Sequence, residues 1–475
     1  MSNSTKAKKL SFWTLVLLIF VPTFGFGNIT TNAVALGPAS IPSWLIVSVL
    51  FFFPLSGIIA ELASANNDKG GGIYSWIECG LGEKWAYIGT WSYFIANLFY
   101  LQMIFVRIPV MTSWAIFGEN RFGDTHTVLL SVMAIFLVVI LTWAATKGVK
   151  NFSRLSDFGG KFTIVATIIF IVFAIIGYFM GTPSATEFSK STVIPKVNAD
   201  YLSTFAWLLF SVAGAEVAGT YISDVENPKK NFPKGVIMAT LFIAVAYIIG
   251  SVAVCLIASP DVLTKAGLKN ANYIVYKILA ENWGLNGKIA VQIYSIILTI
   301  TSVAAYIVWV ESPIRAMFSE VPKGTFPEFL TRKNEDGTLI NALWIQCAIV
   351  IVFIIVPILG LHSVESFFVL LANLSSLSLV VPYIILAAAY MAYRLKGNKP
   401  PFVMFKSKGS VMFISILVLI LGIAGFFGAG FGDIANAENS SAAVKSIIMN
   451  YGGPVILILL GLVITLPSKH KTKKN

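Results

Sequence analysis

Apolar runs long enough to cross a bilayer recur along the whole chain, at roughly 12–34, 43–63, 88–116, 128–146, 160–181, 201–222, 235–258, 289–311, 342–360, 366–392, 410–430 and 452–467. Short polar segments punctuate them. A helix needs about 20 apolar residues to cross about 30 Å of hydrocarbon, and these runs have that length. They do not alternate apolar and polar over about ten residues, as membrane β-strands do. The pattern predicts an all-α integral membrane protein with about 12 spans and no extramembrane segment large enough to fold alone.

Composition agrees: 57% of the 475 residues are hydrophobic and 12% are charged, with a mean hydropathy of +0.81, against about 25% charged in a soluble protein. The net charge of +12 raises nucleic acid as a partner, and its distribution removes that reading. With the N-terminus in the cytoplasm, 24 of the 34 Lys and Arg fall in inner segments and 8 in outer ones. That asymmetry is the positive-inside signature. It predicts an even span number, cytoplasmic termini and a multi-pass protein of the plasma (inner) membrane. The first run passes into further spans without a small-residue cleavage signal, so no signal peptide is expected.

Cys79, Cys255 and Cys347 are far apart and read as small buried hydrophobes. His126, His362 and His470 are scattered through apparent loops and the tail. Neither set has metal or redox spacing, so neither a metal nor a cofactor is expected. No His-Glu-x-x-His or Gly-x-Ser-x-Gly motif is present, which argues against an enzyme.

The first run carries Pro22, Gly25, Gly27 and Asn28 near its middle. These residues unwind helices, and unwound backbone survives at membrane depth only where protein buries it or a cavity hydrates it. Freed amides at a half-helix N-terminus suit a carboxylate; freed carbonyls suit a cation or ammonium. A Gly-rich helix-packing face is the other reading. The sixth run favours the break. There Ala213, Gly214 and Ala215 precede Glu216, a carboxylate at membrane depth. A second interrupted span, five spans after the first, is what a five-plus-five inverted repeat would show.

Four patterns in order then carry a resemblance: the first-span Gly motif, ELASANNDKGGGIYSWIECGLGEKWAYIGTW, GAEVAGTYISDVENPKKNFPKG and SPIRAMFSE, together covering roughly residues 12 to 320. The chain resembles the amino acid–polyamine–organocation transporters, and within them the glutamate/γ-aminobutyrate antiporter branch, which FYLQMIFVRIP in the third span also resembles. The resemblance implies a LeuT-type fold. Residues 1–11 would form a cytoplasmic tail, 12–181 and 201–392 the two repeats, 410–467 two peripheral helices, and 468–475 a basic tail. It implies a substrate site made of Gly25, Phe26, Gly27 and Asn28 with Ala213, Gly214 and Ala215, an aromatic gate at Phe210, and a gating or coupling carboxylate at Glu216. Asn97 and Gln102 of the third span join the site if their alignment holds. Where the family reads closer to Gly-Ser-Gly-Ile, this chain has Gly-Phe-Gly-Asn-Ile, and Phe26 replaces a hydroxyl with bulk. The branch's folded C-terminal plug is not expected on a tail reading SKHKTKKN.

Other charges have two readings each. Arg107 binds a substrate carboxylate or closes an outer gate; alternatively it snorkels or pairs structurally. The resemblance implies that Lys161 in the fifth span could place its ammonium where a sodium ion would sit; the other reading is an interfacial lysine. Glu311 pairs with Arg315 one turn on, or attracts a cationic amine. Glu61, Asp224 and Glu226 with Lys229 and Lys230 form an inner-gate network, or are solvated loop charges. Trp44, Trp85, Tyr87 and Trp283 read as interface anchors. The function expected is alternating-access exchange of an amino acid for a related amino acid or its decarboxylated amine. A proton-coupled symporter is the first rival and a transporter-like nutrient sensor a distant second. The bilayer and the small-molecule substrate are the expected partners, and a homodimer is allowed for.

Overall fold

The structure, a computed structural model, describes residues 9–464 except 67–71, 122–126, 148–149, 217–218, 220–221, 223–224, 322–323, 335–336 and 359–363. Asp224, His126, His362 and His470 lie outside the described residues, as does the Arg315 side chain. Among the described residues each predicted run carries a helix, the first as two half-helices and the sixth as a helix followed by an irregular stretch. The spans are Phe12–Thr23 with Phe26–Leu36, Ser40–Ala65, Glu83–Phe117, Thr127–Thr146, Lys150–Phe179, Ala199–Ser211 with its irregular continuation, Pro228–Ile257, Gly287–Glu320, Ile340–Ile358, Val364–Leu395, Lys408–Gly428 and Ser440–Ile464. Two helices outside the spans, Ile73–Leu81 and Pro260–Asn282, lie within segments that read as loops. The second is a polar helix with Lys265, Lys269 and Lys277 on it, so hydropathy alone passes over it.

Local chemistry sets the ends. Side-chain oxygens of Ser11, Asn198, Ser259, Asn286 and Ser407 accept first-turn amides, satisfying donors that have no helical partner. Gly118 ends the third span in the left-handed region at φ 69°. Spans three and ten are wrapped by neighbours, whereas spans five, eleven and twelve show apolar side chains such as Ile168, Phe413, Ile420 and Leu459 at the surface. That belt is what lipid covers in a spanning protein. The twelfth span is held to the third by backbone carbonyls: Trp91 Nε1 donates to Leu457 at 2.8 Å and Tyr87 Oη to Gly461 at 3.0 Å.

The first span breaks where expected. Pro22 sits in the last turn of its first half-helix, the helix stops at Thr23, and Phe24 and Gly25 are extended. The helix restarts at Phe26. The sixth span stops at Ser211; Val212 leaves the helical region, and Gly214 takes φ +130°, a conformation that L side chains rarely adopt. Residues 215–216 make a 3-10 turn. The segment before the first span and the segment after the sixth-span break are tied by an isolated parallel bridge between Leu10 and Val225, beside which the Glu226 amide donates to the Leu10 carbonyl at 3.0 Å.

Candidate functional site

The two breaks lie against each other. A Cβ on Gly214 would stand 2.8 Å from Thr23 Oγ1 and 3.2 Å from Thr23 Cα, so only glycine permits this approach. Tyr247 of the seventh span, fully buried, joins the two interruptions through one hydroxyl. That oxygen lies 2.8 Å from the Ser211 carbonyl and 3.0 Å from the Thr23 carbonyl, to which it donates, and it accepts from Asn28 Nδ2 at 3.0 Å and Gly25 N–H at 3.4 Å. The hydroxyl carries one proton, so the two carbonyls compete for it. Trp44 stacks on Tyr247 at 4.1 Å and Phe24 packs at 5.2 Å. This corrects the reading of Trp44 as an interface anchor: it is fully buried and holds the tyrosine in place. Tyr87 is likewise buried, while Trp85 is exposed.

Two adjoining cavities open beside the breaks. The smaller, about 50 Å³, is lined by Thr23, Asn28, Asn97, Phe210, Ala213, Gly214 and Glu216, among others. The larger, about 210 Å³, is lined by Gly25, Phe26, Gly27, Asn28, Arg107 and Tyr306, among others. Tyr100 and Trp309 line both. Tyr100 sits edge-on to Phe210 at 5.6 Å and to Trp309 at 5.2 Å, an aromatic partition between the two spaces.

The third span supplies one stripe of side chains. Tyr93, Asn97, Tyr100, Ile104, Arg107 and Met111 recur every three or four residues, and all line a cavity. Gln102 falls off that stripe. It is fully buried and donates to the Phe353 carbonyl of the ninth span, which corrects its expected place in the site. Asn97 lines the smaller cavity, with its amide donating to the Tyr93 carbonyl at 2.8 Å. Phe26 packs edge-on to Phe170 at 4.9 Å and Tyr276 at 5.0 Å, so its bulk is absorbed by the fifth span and the helix Pro260–Asn282. Ala215 is buried behind Gly214 and is not among the residues lining either cavity.

Glu216 is buried, with Oε2 accepting the Gly214 amide at 3.1 Å and Tyr93 and Tyr383 facing the carboxylate. Arg107 reaches over the first-span break: its Nη1 lies 3.8 Å from where a Gly27 Cβ would be, and its guanidinium is 5.9 Å from the centre of the Phe368 ring. Lys269 of the helix Pro260–Asn282 lines an adjoining space of about 30 Å³ with Arg107. Burial lowers the Lys269 ammonium pKa, with Glu365 opposing, and burial raises that of the neighbouring Tyr273 phenol. Lys161 is exposed, and neither it nor Glu311 is among the residues lining the cavities, although Glu311 is buried.

The inner-gate network takes another form. Glu226, Lys229 and Lys230 are exposed. Glu61 is fully buried and pairs with Arg394 of the tenth span. It also accepts from Tyr390 Oη at 2.8 Å and from the amides of Met404 and Phe405 at 2.7 and 2.8 Å, and Arg394 Nη2 donates to the Phe405 carbonyl at 2.8 Å. A carboxylate with no access to water needs such a full set of donors. The exposed lysines do not supply them.

Comparison with known proteins places these features in context. The family model described as amino acid permease matches residues 10–465. The chain is 26% identical to the aspartate/glutamate permease AcaP of Lactococcus lactis subsp. cremoris, over 98% of this chain and 97% of the relative. It is 27% identical to the inner membrane transporter YjeM of Escherichia coli, over 98% of each. With a glutamate/gamma-aminobutyrate antiporter of Lactococcus lactis subsp. lactis it shares 21% identity, over 94% of this chain and 88% of the relative.

Proposed function

We propose that this chain, which belongs to the amino acid permease family, exchanges one amino acid for a related amino acid or its decarboxylated amine by alternating access. Membership makes it a membrane-embedded, multi-pass LeuT-fold transporter of amino acids and not an enzyme. Exchange, rather than symport, is our reading. It is supported by the likeness to two antiporters named for glutamate and γ-aminobutyrate. The plasma membrane as location and cytoplasmic termini follow in our reading from the distribution of Lys and Arg.

The observation that carries the proposal is the junction of the two breaks. Thr23 and Ser211 present backbone carbonyls, and Gly25 an amide, to one hydroxyl beside two cavities. An α-ammonium suits those carbonyls and an α-carboxylate suits amides at the start of the outer half-helix. Residues 12–181 and 201–392 would be the repeats that rock about this point. The Phe210–Tyr100–Trp309 cluster would gate passage between the cavities, and Glu216 would change partner as the site opens. Arg107 stands at the outer end of the larger cavity, where it serves substrate or gate.

Counterflow in proteoliposomes tests this. Labelled amino acid should accumulate only in vesicles preloaded with unlabelled amino acid or amine, with no imposed proton gradient. Uptake into empty vesicles that requires an inward proton gradient would establish the symporter instead.

A further inference from the structure

The charge of the cavity walls narrows the substrate. Among the described residues lining the larger cavity and the small space beyond it, the charged side chains are Arg107 and Lys269, both cationic. Glu365 lies within electrostatic reach of both Lys269 and Arg107. One of its oxygens accepts the Leu268 amide at 2.7 Å and the other has no hydrogen-bond partner among the described residues. It is one carboxylate between two cations, and Arg107 makes no ion pair with it or with any other described residue within 4.0 Å; Gly27 leaves the guanidinium room, and the Phe368 ring lies beside it. A second donor lies close by. Tyr306 is 1% exposed, lines the same cavity, and its hydroxyl has no hydrogen-bond partner among the described residues. Arg107 and Tyr306 are near enough to interact electrostatically. An unpaired guanidinium beside an unsatisfied hydroxyl is a geometry that asks for an anion with two acceptor oxygens.

We propose that Arg107 and Tyr306 bind the side-chain carboxylate of a dicarboxylic amino acid, making Arg107 the residue that selects acidic over neutral substrates. This rests on the exchange site at the breaks, which holds the α-ammonium and α-carboxylate. Glu216 does not oppose it, because its carboxylate is turned to the Gly214 amide and to Tyr93 and Tyr383.

The experiment is exchange in proteoliposomes with L-glutamate, L-aspartate, L-glutamine, L-asparagine and γ-aminobutyrate, using the wild type, Arg107→Gln, Arg107→Lys and Tyr306→Phe. The wild type should favour each acid over its amide by a KM ratio on the order of 100-fold, because the amide leaves the guanidinium unpaired. Arg107→Gln should erase or reverse that ratio while glutamine exchange persists. Arg107→Lys, which keeps the charge and loses the planar fork, should retain the preference in weakened form. Tyr306→Phe should raise the glutamate KM roughly tenfold. If Arg107→Gln does not fold, the wild-type panel and Arg107→Lys still decide. Exchange of neutral amino acids only, or an acid preference unchanged in Arg107→Gln, overturns the assignment and leaves the exchange site standing. Vesicles that exchange no amino acid or amine overturn both.

Discussion

At the scale of single residues, Tyr247 and Gly214 hold the two breaks together. Tyr247→Phe removes one oxygen and leaves the Thr23 and Ser211 carbonyls and the Gly25 amide short of a partner. Each buried group left unpaired costs about 1–3 kcal/mol, so the variant should show a lower thermal midpoint in detergent and at least tenfold slower exchange, with unchanged helical circular dichroism. Normal exchange in Tyr247→Phe would mean that the hydroxyl is incidental. Gly214→Ala meets Thr23 at backbone distance and a strained φ, and it should lose substrate-induced stabilisation. Gly25, Gly27, Asn28 and Gly214 were legible in the sequence because weak helix formers clustered inside an apolar run mark an interruption of that helix. Tyr247 and Trp44 were not. An aromatic inside a span reads as core or interface, and only the fold brings the seventh span to both breaks.

At the scale of elements, helical periodicity sorts the residues of the third span. Asn97 and Arg107 share the face of the third span that meets the cavities, and Gln102, off that face, is turned to the ninth span. Counting by 3.6 from either would have separated them. Span ends were less readable. Glu61 closes the second span and Arg394 the tenth, 333 positions apart, and no local pattern joins them. That pair fastens the ends of two spans to the segment that follows the tenth, at Met404 and Phe405. Removing one partner of a buried pair costs about 3–5 kcal/mol, so Glu61→Gln should lower the thermal midpoint strongly. The double variant Glu61→Gln with Arg394→Met should recover part of the loss, because no buried charge then stands alone. A double variant no more stable than Glu61→Gln would assign the cost to the lost amide contacts of Met404 and Phe405.

At the scale of the whole molecule, hydropathy and charge asymmetry carried the expectation of about 12 helical spans, and the Gly- and Pro-bearing interruptions carried the breaks in the first and sixth. They could not show the helix Pro260–Asn282, whose polar sequence reads as a loop although Leu268, Lys269, Asn272 and Tyr273 line the space beside Arg107. They also left the sign of the site open, since two acids and two bases fell in or near the spans. The fold settles which of these line the larger cavity: Arg107 does, and Lys161 and Glu311 are not among its lining residues. The central claim is that the junction of the two breaks is where an amino acid binds. Thermal unfolding of the purified protein, titrated with amino acids and amines, tests it in the wild type and in Gly27→Leu, whose side chain would enter the larger cavity beside Arg107. A ligand at 100 times its dissociation constant stabilises by about 2.7 kcal/mol. The account predicts a saturable upward shift in the wild type and none in a folded Gly27→Leu, and an equal shift in both proteins would contradict it.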